Sequence, residues 1–240
     1  MTNPEIREAI LDDLAQYASH SRKEKVAINH PTSMEVFGLM VSDLRMVIAK
    51  WQKKLKDFTP GQWIDLALDL VNARHLECQL VAYEFLWKNK KALLSLTQQQ
   101  IIALGGQLDN WVSVDMYCLS ITGYCWRMGL LPDHVLEQWA KNENLWIRRA
   151  ALVSTVPLNL RARGGTGDVE RTLRICQMLV DDRQDMVIKA LSWALRELSK
   201  SDRQAVKTFM EQHGQRIHSR VKREVETKLQ TGKKIMRQNA

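Results

Sequence analysis

Glycine and proline are scarce in this sequence, 11 and 5 residues of 240, and there are only four cysteines. The first shortage argues against many short strands, because the tight turns that join strands draw heavily on both residues. The cysteines, Cys78, Cys118, Cys125 and Cys176, lie far apart, with no Cys-x-x-Cys pair and no histidine at ligand spacing. Neither a disulfide framework nor a zinc site is indicated, and no metal is expected. No run approaches the roughly 20 apolar residues that a membrane span needs, so no membrane partner is expected. Met1 to Ala18 carry Glu5, Glu8, Asp12 and Asp13 without a basic start and an apolar stretch behind it. No secretory or mitochondrial signal is read, and a cytoplasmic protein with reduced thiols is expected.

Against these shortages stand 45% apolar residues, enough for a core, and a net charge of +8. The charge is uneven. Residues 1–144 carry 15 basic and 17 acidic side chains, whereas residues 145–240 carry 20 and 10. A positive field over the C-terminal half attracts polyanions and speeds their arrival. Thr59-Pro60-Gly61-Gln62-Trp63-Ile64 reads as a helix start, with Thr59 as N-cap and Pro60 at the first helical position. Trp63, Leu66, Ala67 and Leu70 then follow at helical spacing. Sustained two-residue alternation is missing, so the expectation is an all-α protein.

Self-similarity sharpens this. Gln79, Asp115, Arg149, Lys189 and Arg223 each sit in a comparable helical segment, at intervals of 36, 34, 40 and 34 residues. Helix pairs at such a period stack on their neighbours. The reading is a HEAT-like helical repeat solenoid, one domain over residues 1–240 with about six helix pairs. The second helix of each pair is expected to line a concave basic groove, with the five anchors as a row of polar groups. The long interval is assigned to a flexible insertion at 161–167, and a ragged basic end is expected at 231–240. Gly164-Gly165-Thr166-Gly167 lacks the Lys and Ser/Thr of a phosphate-binding loop and no strand precedes it. Its neighbours Arg161 and Arg163 fit contacts to a phosphate backbone. A basic groove of this kind suits a nucleic-acid duplex or an acidic peptide, and composition alone does not choose between them.

Three segments bear on the choice. Asn110-Trp111-Val112-Ser113-Val114-Asp115 puts Trp111 and Asp115 one helical turn apart. Asn144-Leu145-Trp146-Ile147-Arg148-Arg149-Ala150 follows one repeat later, and Ala190-Leu191-Ser192-Trp193-Ala194-Leu195-Arg196-Glu197 another repeat on. Together they resemble the DNA alkylation repair glycosylases of the AlkD type, whose signatures read as a Trp-x-x-x-Asp turn, an Asn-x-Trp-x-x-Arg-Ala-Ala helix and an Ala-x-x-Trp-x-Leu-Arg-Glu helix. A weaker likeness extends to Met34-Glu35-Val36-Phe37-Gly38-Leu39 and Asp43-Leu44-Arg45.

The resemblance implies a DNA glycosylase that hydrolyses the N-glycosidic bond of N3- or N7-alkylated purines in duplex DNA, acting as a monomer with no cofactor, no obligate protein partner and no base pocket. Asp115 would be the catalytic carboxylate, Trp111 and Trp193 the aromatic walls, and Arg149 the phosphate-holding residue. Arg148, Lys189, Arg45, Arg161, Arg163 and Arg223 are further candidate DNA contacts. Asp115 also fits an ion pair with Arg149, which is compatible with catalysis. Where such proteins can carry a nucleotide-contacting tyrosine, this sequence has Asn29. Trp51, Trp63, Trp87, Trp126, Trp139 and Trp146 are expected to be packing residues, and Arg196 and Glu197 to bridge repeats. The alternatives are a non-catalytic DNA-binding relative that reads shape, and a scaffold whose basic face meets an acidic protein.

Overall fold

A computed structural model describes residues 1–233. The ragged end expected at 231–240 therefore lies, from residue 234 on, outside the described residues. The chain is all-helical. Its helices are α1 (Asn3–Ala15), α2 (His20–Asn29), α3 (Val41–Lys54), α4 (Pro60–Asn72), α5 (Leu76–Lys88), α6 (Lys90–Leu94), α7 (Gln98–Leu104), α8 (Trp111–Tyr117), α9 (Gly123–Arg127), α10 (Asp133–Ala140), α11 (Leu145–Asn159), α12 (Val169–Met178), α13 (Asp185–Leu198), α14 (Arg203–His213) and α15 (Ser219–Thr231). A π-helical turn, Cys118–Thr122, joins α8 to α9, and a 3-10 turn, Arg161–Arg163, follows α11. Among the described residues, β pairing is limited to an isolated parallel bridge between Glu35 and His75.

The helix starts follow the sequence signals. Thr59 caps α4 as expected: its hydroxyl accepts from the Gln62 N–H at 3.3 Å, and the Gln62 side chain accepts from the Thr59 N–H at 2.9 Å. Thr2 with Glu5 and Thr97 with Gln100 repeat this reciprocal box. Each satisfies backbone donors the first turn leaves open and stabilises its helix by about 1 kcal/mol.

Internal contacts gather the chain, read from sequence as one domain, into two compact units, Met1–Leu130 and Leu131–Ala240. In the first unit α5 packs on α3, α4 and α8, while α1 packs on α3 and α4. In the second unit α11 packs on α13 and α13 on α15, with α10 and α12 against α11 and α14 against α13. The pairs α10/α11 and α12/α13 are thus successive helical repeats, as the sequence period predicts, and α14 and α15 follow on α13. Every side chain of α11 from Arg149 to Asn159 is buried, so this helix is the centre of its unit. Trp51, Trp63 and Trp126 are buried packing residues, whereas Trp87, Trp139 and Trp146 are half-buried.

Two expectations change. The polar row is broken at its first member, because Gln79 is fully buried and reaches only the Gln107 carbonyl, at 3.5 Å. The anchor spacing was right for the helices, but spacing does not fix which face of α5 meets its neighbours. The segment 161–167, expected to be a flexible insertion, bonds back to the chain just before it. Gly165 and Gly167 donate back to the carbonyls of Leu160 (3.0 Å) and Leu158 (3.1 Å). A Cβ on Gly165 would lie 2.5 Å from the Pro157 carbonyl oxygen, so the turn needs glycine there. The buried Asn159 side chain closes the loop, donating to Thr172 Oγ1 (2.8 Å) and accepting from the Asp168 N–H (2.9 Å).

Candidate active site

In the second unit the candidates carried by α-helices fall on α11, α13 and α15. Arg45 is on α3, Trp111 and Asp115 on α8, Arg148 and Arg149 on α11, Lys189 and Trp193 on α13, and Arg223 on α15. Arg161 and Arg163 occupy the 3-10 turn. Trp111 and Asp115 belong to the first unit and Arg149 and Trp193 to the second.

In the first unit, α8 begins where the buried Asn110 side chain accepts from the Ser113 N–H at 3.0 Å. This N-cap fixes the first turn and sets Trp111 and Asp115 on one face. Asp115 is half-buried and Trp111 is 36% exposed. The indole N–H of Trp111 donates to the Asn29 carbonyl at 3.2 Å, and the His30 ring meets the indole edge-on, centroids 5.4 Å apart. The Asn29 side chain turns back to the Lys25 carbonyl, 2.9 Å. Asn29 thus lacks an aromatic group but presents its backbone to Trp111.

A cavity of about 360 Å³ lies beside Trp111, and its walls include Arg22, Lys25, Met40, Leu44, Leu80 and Val112. No base pocket is implied by the resemblance, so this cavity is a structural addition to that picture. Glu77 lines it as well, and its buried carboxylate accepts from the N–H groups of Phe37 (3.3 Å), Gly38 (2.8 Å) and Leu39 (3.4 Å). Gly38 has φ +77°, and a Cβ there would lie 2.6 Å from the Lys23 nitrogen, so another residue would strain the loop. Burial holds His30 and His75 below the usual histidine range, against the pull of Glu77.

In the second unit Arg149 is 5% exposed, and its Nη1 donates to the Met186 carbonyl at 2.5 Å. It therefore ties α11 to the first turn of α13, the helix that carries the half-buried Trp193. Arg148, expected to reach phosphate, is committed to the protein. Its Nε donates to Asp182 (2.7 Å) and its Nη1 to the carbonyls of Asn142 (2.9 Å) and Glu143 (2.7 Å). Lys189 pairs with Asp185 at 2.6 Å, and Asp185 also takes Arg220 at 2.6 Å. These partners outweigh partial burial and hold the Asp185 carboxyl below its usual range, the Lys189 hydrogen bond contributing most. Arg45, Arg161 and Arg223 are exposed, and Arg163 is half-buried. Arg196 bridges repeats as expected, its Nε 3.8 Å from Glu224 on α15, but Glu197 pairs with Lys200 three residues along.

The four cysteines are free thiols. All four are buried, and burial pushes the thiols of Cys78 and Cys176 far up and that of Cys125 to about 12. Among the described residues there is no group of three or more His, Cys, Asp or Glu side chains able to hold a metal. No helix there is long and apolar enough to cross a membrane.

An all-helical repeat protein with an indole and a carboxylate on one helical turn, and a second indole on a helix locked by a buried arginine, is the class that fold and side chains define. The family model of the DNA alkylation repair enzymes matches residues 10–229, and the chain belongs to that family. Its partner is accordingly DNA. A search of curated proteins finds no match.

Proposed function

We propose that the protein is a DNA glycosylase, a hydrolase of base excision repair that releases N3- and N7-alkylated purines from duplex DNA. The observation that carries the reading is the placement of Trp111 and Asp115 on one turn of α8, in a chain of the alkylation repair family. A purine alkylated at N3 or N7 is cationic and leaves without prior protonation. The remaining barrier is the positive charge that grows on the sugar as the glycosidic bond breaks, and a fixed carboxylate lowers it. Asp115 supplies that carboxylate and orients the attacking water. The indole faces of Trp111 and Trp193 favour a cationic nucleotide by about 0.5 to 2 kcal/mol each. By the family resemblance Arg149, kept on α11 by its bond to the Met186 carbonyl, is the phosphate-holding residue, and Arg45, Arg161, Arg163, Lys189 and Arg223 are the further phosphate contacts. The protein works as a monomer, without a metal or organic cofactor.

The test is incubation with duplex DNA carrying N7-methylguanine, followed by alkaline cleavage at the abasic site. Wild-type release is expected above the spontaneous rate, with Asp115→Asn slower by about 100-fold or more, the usual loss when a charge-stabilising group is removed. Salt-dependent duplex binding without release would instead mark a DNA-binding relative that reads shape. Absence of duplex binding at low ionic strength would favour the acidic-partner scaffold.

A further inference from the structure

Trp111 is gripped by a stretch of chain 82 residues away, and that stretch is itself tied back to the start of the same helix. The Asn29 carbonyl accepts the indole N–H, 3.2 Å. Three residues on, Thr32 Oγ1 donates to Asp109 Oδ1 (2.6 Å), and the Ser33 N–H and Oγ donate to Asp109 Oδ2 (2.6 and 2.8 Å). Asp109 Oδ1 also accepts from Asn110 Nδ2 at 3.0 Å, and Asn110 is the N-cap of α8. Residues 29–33 and 109–111 therefore form a closed loop of contacts, with Trp111 at one end and Asp109 at the other. These four donors match the roughly four acceptor sites of one carboxylate. Partial burial works to raise the Asp109 carboxyl, but the bonds from Thr32, Asn110 and Ser33 outweigh it and hold it below the usual range.

The helix leading into this strap has little grip of its own. No residue of α2 is fully buried, and Val26 is its packing contact with the small cluster of Met34, Val36 and Leu76. Without Asp109, the Asn29 carbonyl would be carried by a segment held through α2 on one side and, on the other, only from Glu35 on, where the Glu35 N–H donates to the Arg74 carbonyl (3.0 Å) and the Glu35 carbonyl accepts from the Leu76 N–H (2.9 Å). An indole held at one hydrogen bond keeps its orientation only as well as its acceptor is held.

We infer that Asp109 is a positioning residue of the site: by pinning Thr32 and Ser33 to the start of α8 it fixes the Asn29 carbonyl, and through it the orientation of Trp111. The catalytic consequence rests on the glycosylase reading, whereas the structural one does not.

Two measurements keep these apart. The indole N–H resonance of Trp111, assigned by its loss in Trp111→Phe, reports the strap directly in the intact protein. In Asp109→Ala its solvent exchange is expected to quicken by about tenfold, a modest local opening, with an intermediate value in Asp109→Asn, which keeps one acceptor oxygen. Should Asp109→Ala not fold, the Thr32→Val/Ser33→Ala double variant removes the two hydroxyl donors, leaves the Ser33 N–H, and is expected to move the resonance in the same direction by a smaller amount. Unchanged indole exchange in the folded variants would overturn the inference.

On alkylated duplex, kcat of Asp109→Ala is expected to fall about tenfold with KM within about twofold, as for a misplaced group that does not itself bind. In a Trp111→Phe background the same substitution should add little, because its effect passes through the indole. Additive losses would overturn the positioning role. If wild-type protein releases no base, the glycosylase reading fails while the indole exchange still decides the strap.

Discussion

Around α8 in the first unit, long-range polar contacts run from carboxylates to uncharged donors, Glu77 to three backbone N–H groups and Asp109 to Thr32 and Ser33. Around α11 and α13 in the second unit several of them run between charges. Residues 181–185 supply Asp181 to Arg216, Asp182 to Arg148 and Asp185 to both Lys189 and Arg220. A carboxylate holding backbone amides fixes the course of a loop and fails when that carboxylate is removed or protonated. An ion pair joins helices and, where exposed, fades with salt. The difference teaches that the surroundings of Trp111 are loops held in shape, whereas those of Arg149 are helix joints.

The strongest way to break this contrast is at Glu77. Glu77→Ala leaves three backbone donors of the 37–39 loop without their acceptor, at about 1 kcal/mol or more each, so a loss of about 3 to 5 kcal/mol is expected. Hydrogen exchange with urea titration checks it: first-unit amides should lose protection before those of the second unit. Arg149→Ala mirrors this in the second unit. It removes a buried side chain and the donor to Met186, with an expected cost of about 2 to 4 kcal/mol and protection lost first in α11 and α13. Equal loss of protection across both units in either variant would mean that the contrast between them is unreal.

Acid should act on the first unit. His30 and His75 have lowered folded values, so below about pH 6.5 the unfolded chain binds protons that the folded one refuses. Their stability contribution is present above that pH and lost as pH falls toward the folded values. First-unit melting is expected to drop between about pH 7 and pH 5.5, and less so in His75→Leu. A flat wild-type profile would remove both histidines from the account. The smallest effect separates two arginines. Arg223→Ala should change stability by less than about 0.5 kcal/mol but reduce the salt slope of duplex binding by about 0.9. Arg148→Ala should do the reverse, costing about 1 to 3 kcal/mol because Asp182 loses its partner, with the salt slope kept.

What was legible in the sequence was local. Thr59 acts within three residues of itself, and the repeat period follows from helix length, so that helix start, the helical pairs and the Trp111–Asp115 turn could be read directly. What escaped was carried by contacts between distant residues. Asp109 meets Thr32 across 77 positions, and Glu77 meets Gly38 across 39. Nothing in a one-dimensional pattern marks such pairs. The same limit explains Gln79, whose helical period was right while its burial depends on the neighbours of α5.

The π-helical turn at Cys118–Thr122 has a bearing on how this chain is compared with others. The Gly123 N–H reaches back five residues to the Cys118 carbonyl, where an α-helix would reach four. The turn acts as a one-residue phase shift, rotating everything beyond it by about 100° relative to an uninterrupted α-helix. Against a helix without such a turn, a gapless alignment anchored on Trp111 and Asp115 goes out of step by one position before Cys125 and Trp126. An alignment anchored on those buried residues would misplace the indole and the carboxylate by the same single step.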